Sequence, residues 1–112
     1  MIIKDDSNDM IITKRQPVSV GEIIKEEYLE PLKITQEQLA RAMGVSRRTV
    51  NDICNAKRCV TVDTALLLAK VFENTPDFWL NAQRRSDLWK ALNTPERKAK
   101  IDRAKSIREV AA

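Results

Sequence analysis

At 112 residues the chain has room for one domain with a modest core, and 43% apolar content with two glycines and four prolines suits a helical protein. It has no histidine, the commonest general base and metal ligand, and Cys54 and Cys59 lack a second pair, so no zinc site is readable. The formal net charge of +4 is mild, and its distribution matters more than its sum.

Residues 41–58 hold Arg41, Arg47, Arg48, Lys57 and Arg58 against Asp52 alone, while residues 96–112 hold six bases and three acids. The first forty residues lean acidic through Asp5, Asp6, Asp9, Glu22, Glu26, Glu27, Glu30 and Glu37. This polarity suits a small nucleic-acid binder. No apolar run is long enough to span a bilayer, and Lys4, Asp5 and Asp6 interrupt any signal-peptide pattern, so the reducing cytoplasm is the expected compartment. A glycine-rich phosphate loop and a recognisable carboxylate pair are both missing, so neither an enzyme nor a cofactor is expected.

Residues 1–16 read as an extension outside the core, flexible or strand-like on a partner. Two Met-Ile-Ile triplets bracket an acidic run there, without a helical period. Residues 17–92 read as the domain. Ser19 with Glu22 has capping-box spacing and Val18 with Ile23 staple spacing. They predict a first helix to about Pro31, with Ile23, Ile24, Tyr28 and Leu32 facing inward. Thr35 with Gln38 forms a second capping box, Ile34 with Leu39 a staple, and Gly44 allows a sharp turn after Met43. Ser46 caps a third helix, with Val45 and Val50 at staple spacing. Leu39, Ala40, Met43, Val45, Val50 and Ile53 would share one apolar face. Two short helices joined in this way are a helix-turn-helix, whose second helix lies in the DNA major groove.

A basic loop at 56–60 leads to Thr61, the cap of a fourth helix with Ala65, Leu68, Ala69 and Phe72 inward. Thr75-Pro76-Asp77 starts a fifth helix, with proline at the first position and an acid where the dipole favours one. Phe78 and Trp79 are placed in the monomer core, and Leu80, Leu88 and Trp89 form a candidate dimer face, with Trp89 fitting the core equally well. Thr94-Pro95-Glu96 repeats that start for one charged final helix in the tail, 93–112, with a stripe of Ile101, Ala104, Ile107 and Val110. Cys54 reads as a small packing residue and Cys59 as a loop residue.

The start of the third helix carries the functional signal. Arg47 and Arg48 occupy its first turn, where the macrodipole disfavours cations by about 0.3–1 kcal/mol each. A helix selected for stability alone would not place them there. Opposite guanine, whose O6 and N7 arginine bonds together, the choice makes sense. Arg47 and Arg48 are therefore the first candidates for base contacts. Gln36 and Ser46 stand at the helix starts near the backbone, Thr49 is placed to touch a thymine methyl or a phosphate, and Asn51 and Asp52 lie further along the groove face. Asn55, Lys57 and Arg58 face phosphates. Asp52 has two readings, as acceptor from cytosine N4 or as the residue that orients Arg48.

Several runs narrow the class: residues 17–24 (Pro-Val-Ser-Val-Gly-Glu-Ile-Ile), Tyr28-Leu-Glu-Pro-Leu, Asn55-Ala-Lys-Arg, Thr64-Ala-Leu and Thr75-Pro-Asp-Phe-Trp-Leu-Asn. Over about residues 17–89 the chain resembles the lambda-repressor-like domains of the Xre class, and more narrowly the HigA antitoxins, also called VapI-type. The resemblance implies an all-α fold, a compact five-helix DNA-binding domain with an extra C-terminal helix. It also implies a homodimer that binds operator DNA near its own promoter and sequesters a HigB toxin, a RelE-like ribonuclease. The alternatives are a stand-alone Xre repressor without a toxin and an interaction module that has lost DNA binding. For the toxin, residues 1–16 are the preferred surface and the basic last helix the other. One departure stands out: Ala56 takes the place of a common glycine, so the loop is expected to differ in shape.

Overall fold

The computed structural model describes residues 3–5, 10–12 and 15–111. Among the described residues seven helices follow one another. The first, α1, starts as Val20–Ile23, widens into a π-helical stretch at Ile24–Leu29 and closes as Glu30–Leu32. Then come α2 (Gln36–Met43), α3 (Arg47–Cys54), α4 (Val62–Phe72), α5 (Pro76–Leu92), α6 (Pro95–Arg103) and α7 (Ile107–Ala111). Ahead of them, β1 (Ile3–Asp5) and β2 (Met10–Ile12) pair antiparallel with Ile3 opposite Ile12. Six positions of the 1–16 extension thus pair with one another as strands; the remainder of 1–14 lies outside the described residues.

The π-helical stretch has a local cause and a packing consequence. Pro31 brings no N–H, and its ring would press on the carbonyl four residues back, so a wider turn upstream relieves the clash. A wider turn also changes which residues share a face. Ile24 and Leu29, five apart, are both buried, whereas Leu32, expected inside, is 57% exposed. The wide turn puts Leu29, five residues after Ile24, on the face that the residue four on would take in a regular helix.

The core gathers one face from each of the first five helices: Val20, Ile23, Ile24 and Leu29; Leu39, Ala40 and Met43; Val50, Ile53 and Cys54; Ala65, Leu68 and Ala69; Trp79 and Ala82. Tyr28, Ile34, Val45, Phe72 and Leu80 pack against it at its margin. Burial raises the Cys54 thiol above its ordinary pKa, partly opposed by the Lys25 cation, and keeps it a neutral packing group. Cys59 is exposed.

Aromatic contacts tie α1 to the α4–α5 corner. Tyr28 stacks on Phe72 with centroids 4.1 Å apart, and both rings lie 5.8 Å from Trp79. Asn74 locks the group, accepting from Trp79 Nε1 at 2.8 Å and donating to the Tyr28 hydroxyl at 3.2 Å. Phe78 departs from expectation. It is 37% exposed and meets only the edge of Trp79, at 4.9 Å and 88°. One residue along a helix is a rotation of about 100°, so Phe78 cannot share the inward direction that Trp79 takes.

The helix starts follow the capping chemistry, with two exceptions. Thr35 and Gln38 form a full capping box, while Ser46, Thr61 and Thr75 each accept from the N–H three residues on. Ser19 caps through its hydroxyl alone, because the Glu22 carboxylate accepts from that hydroxyl rather than from a backbone N–H. Val18, expected to staple this start, is 53% exposed. Thr94 does not cap α6; its hydroxyl donates back to Lys90 O at 2.6 Å. The expected single final helix is two short ones, broken where Ala104 is extended (ψ 142°). Neither has a buried residue, and short helices without packing are marginal, so no contact enforces continuity across the break.

Gly21 sets the distance between α1 and α3. A Cβ placed there would run into the Cys54 carbonyl oxygen and stand 2.6 Å from that of Ile53. Both obstacles are backbone and cannot turn aside. Gly21→Ala is therefore expected to destabilise the fold by about 1–3 kcal/mol despite alanine's better helix propensity, read as a lower midpoint in urea with unchanged slope.

Candidate nucleic-acid interface

Four helix ends close in the same way, and the closures aim the interface. At Gly44 (φ 74°) the next N–H, of Val45, donates to Ala40 O at 3.0 Å, which turns the chain from α2 into α3. Lys33 (φ 54°), Ala56 (φ 57°) and Glu73 (φ 57°) take the same left-handed conformation. After Ala56, the Lys57 N–H donates to Asp52 O at 2.8 Å, which ends α3 in the Schellman manner. The loop therefore keeps the shape that a glycine would give it, against expectation, because that backbone closure outweighs the steric cost of a Cβ.

The start of α3 is open to solvent. Ser46 accepts from the Thr49 N–H at 3.1 Å and its hydroxyl meets that of Thr49 at 2.9 Å. Arg47 and Arg48 are both exposed, and the first turn holds no acid. Among the described residues neither arginine enters a salt bridge. Two guanidiniums thus project from the positive end of a helix dipole, an arrangement that an anion would stabilise.

A polar relay that no local pattern announces braces α2 against α3. Asn51 Nδ2 donates to Gln36 Oε1 at 3.1 Å, and Asn55 Nδ2 donates to Asn51 Oδ1 at 3.1 Å. Gln36, Asn51 and Asn55 therefore form one row across both helices of the motif. Gln36 and Asn51 are fifteen apart in the chain, beyond the reach of any helical period. Asp52 likewise does not turn to Arg48: its carboxylate faces Arg58 Nη2 at 4.0 Å, across the helix end. The left-handed turn at Ala56 brings that loop residue back beside α3, which is why Asp52 reaches it. Behind the loop, Val60 N–H donates to Gln83 Oε1 at 2.9 Å and ties the segment to α5. Lys57 and Arg58 stay exposed.

On α5, Leu88 and Trp89 are half-buried, while Leu80 packs against the core. Among the described residues no group of three or more acids or cysteines could hold a metal ion, and no helix is long and apolar enough to cross a membrane.

Comparisons with known proteins agree with this geometry. The chain matches the helix-turn-helix family over residues 25–79. Antitoxin HigA-1 of Vibrio cholerae is 50% identical over 80% of this chain and 84% of its own. A crystal structure of a hypothetical protein from Escherichia coli superposes with a TM-score of 0.81 at 38% identity, over 85% of this chain and 97% of that one. Pseudomonas aeruginosa antitoxin HigA, solved with the higBA promoter, gives a TM-score of 0.72 at 32% identity, over 80% of this chain and 96% of its own. The fold and its exposed third helix define a non-enzymatic helix-turn-helix regulator. Within that class, the chain belongs to the HigA-type antitoxins.

Ala56→Gly is expected to stabilise the protein by about 1 kcal/mol, since glycine meets no steric penalty at positive φ. Thermal unfolding at neutral pH checks this. A lowered midpoint would show that the Ala56 side chain contributes more than its strain costs.

Proposed function

We propose that this chain is an autorepressor and antitoxin of the cytoplasm. It binds operator DNA beside its own promoter as a homodimer and neutralises a RelE/HigB-like ribonuclease toxin. The observation that carries the DNA half is the pair Arg47 and Arg48, exposed and without an acid at the start of α3. They read base edges, with guanine as the natural target. Thr49 and Asn51 lie next along the groove, and Gln36, Ser46, Asn55, Lys57 and Arg58 meet phosphates. Asp52, close to Arg58, positions that cation more readily than it reads a base. The Pseudomonas relative, solved with promoter DNA, supports the same partner.

One α3 reads only a few base pairs, so useful specificity needs two, about 34 Å apart along the duplex. Leu80, Leu88 and Trp89, all half-buried on α5, are the proposed dimer contact, with Leu80 also packed against the margin of the core. The toxin half rests on the likeness to Vibrio cholerae antitoxin HigA-1. Residues 1–16 are the proposed toxin surface.

Arg47→Ala or Arg48→Ala is expected to cost about 1–3 kcal/mol on the operator and to flatten preference at one base pair. Lys57→Ala should weaken operator and random duplex alike and make the salt dependence shallower. Electrophoretic titrations over a salt series separate the two patterns, with two chains per operator site. Equal losses on every sequence for all three variants would end the base-reading assignment. For the toxin, the neighbouring small reading frame is induced alone and together with this chain. Growth arrest relieved by co-expression is the expected result; arrest that this chain fails to relieve would leave a repressor without a toxin.

A further inference from the structure

The C-terminal arm, α6 and α7, is the part of the chain that the fold does not explain. Every described residue from 95 to 111 is exposed, and neither helix contributes a side chain to the core. Packing therefore does not dictate its composition. Yet the arm carries Arg97, Lys98, Lys100, Arg103, Lys105 and Arg108 against three acids. Lys98 is the one among these six bases that enters a salt bridge among the described residues, to Asp102 at 2.8 Å. Arg97, Lys100 and Arg103 follow one another at three-residue spacing, which places them along one side of α6.

The root of the arm stands next to the candidate interface. Lys90, just before α5 ends, lines a cavity of about 120 Å³ together with Ile53, Ala56 and Cys59. Those three belong to the end of α3 and to the loop that presents Lys57 and Arg58. A basic arm thus issues from beside the segment assigned to phosphates.

We propose that the arm is a second phosphate-contacting element, with Arg97, Lys100 and Arg103 lengthening the footprint along the duplex beyond the major groove. The contact is sequence-independent, because exposed cations on a solvent-facing helix meet the backbone rather than base edges. It rests on the DNA-binding function proposed for α3, and its test separates the two. Ile101, Ile107 and Val110, exposed on the same arm, would favour a protein partner instead. The excess of unpaired bases and the position of the root favour DNA.

The test replaces the three bases together, Arg97→Gln, Lys100→Gln and Arg103→Gln, in the full chain. The thermal midpoint should not move, since none of the three side chains reaches the core. Affinity is measured on operator and on random duplex across a salt series. The slope of log affinity against log salt should become shallower by about 0.9 for each phosphate that an arm no longer neutralises, so by about two to three per arm and about five for the dimer. Both duplexes should lose affinity by the same factor, and the footprint should shorten at each end. An unchanged slope and footprint, with wild-type operator binding intact, would overturn the arm's role alone. Unchanged DNA binding with weakened toxin capture would overturn it in favour of a protein surface. A wild type whose DNA binding is absent or independent of salt would overturn the proposed function and the arm's role together.

Discussion

The placement of α3 depends on one missing methyl group. Gly21 lets the first turn of α1 lie directly on the carbonyls that end α3, at a separation no other residue allows. The sequence marks the position only as one of two glycines, inside a run that otherwise reads as ordinary helix. Glycine in a helix normally costs about 0.5–1 kcal/mol relative to alanine, so its presence needs a tertiary cause. The cause is that α1 acts as the support on which the reading helix rests. The Gln36–Asn51–Asn55 relay then fixes the angle between α2 and α3 from the solvent side.

A second support joins the two sequence runs that narrowed the family. Tyr28 belongs to one and Trp79 to the other, and Asn74 holds both at once by hydrogen bonds. Their joint presence has a physical reason: each run supplies half of a buried aromatic contact that fastens α1 to the corner before α5. The buried indole N–H needs an acceptor and the half-buried phenol oxygen can accept a donor, and Asn74 supplies one of each. The left-handed cap at Glu73 is what turns Asn74 inward to do so.

Local stability is given up at two places on the side proposed to face DNA. Arg47 and Arg48 stand against the dipole of their own helix, and Ala56 accepts a strained backbone in the loop that presents Lys57 and Arg58. The remainder of the domain offsets these costs with a core drawn from five helices and side-chain N-caps on α2, α3, α4 and α5.

Read by itself, the sequence determined what depends on neighbours within a turn or two. The caps at Thr35, Ser46, Thr61 and Thr75, the turn at Gly44 and the inward faces of α2 to α4 were all legible, because capping and helical periodicity are local. So was the unpaired basic start of α3, since a dipole and two arginines interact within one turn. Tertiary structure decided the rest. It decided that Leu29 and not Leu32 is buried, because a proline-driven wide turn shifts the helical register. Phe78 stays near the surface while Trp79 goes in, because Asn74 and Tyr28 claim only one of the two rings. Asp52 meets Arg58 and not Arg48, because the loop folds back. The final stripe breaks into two helices, because no partner surface lies beneath it. In each case the deciding contact comes from a segment that periodicity cannot see, and only the assembled chain brings it within reach.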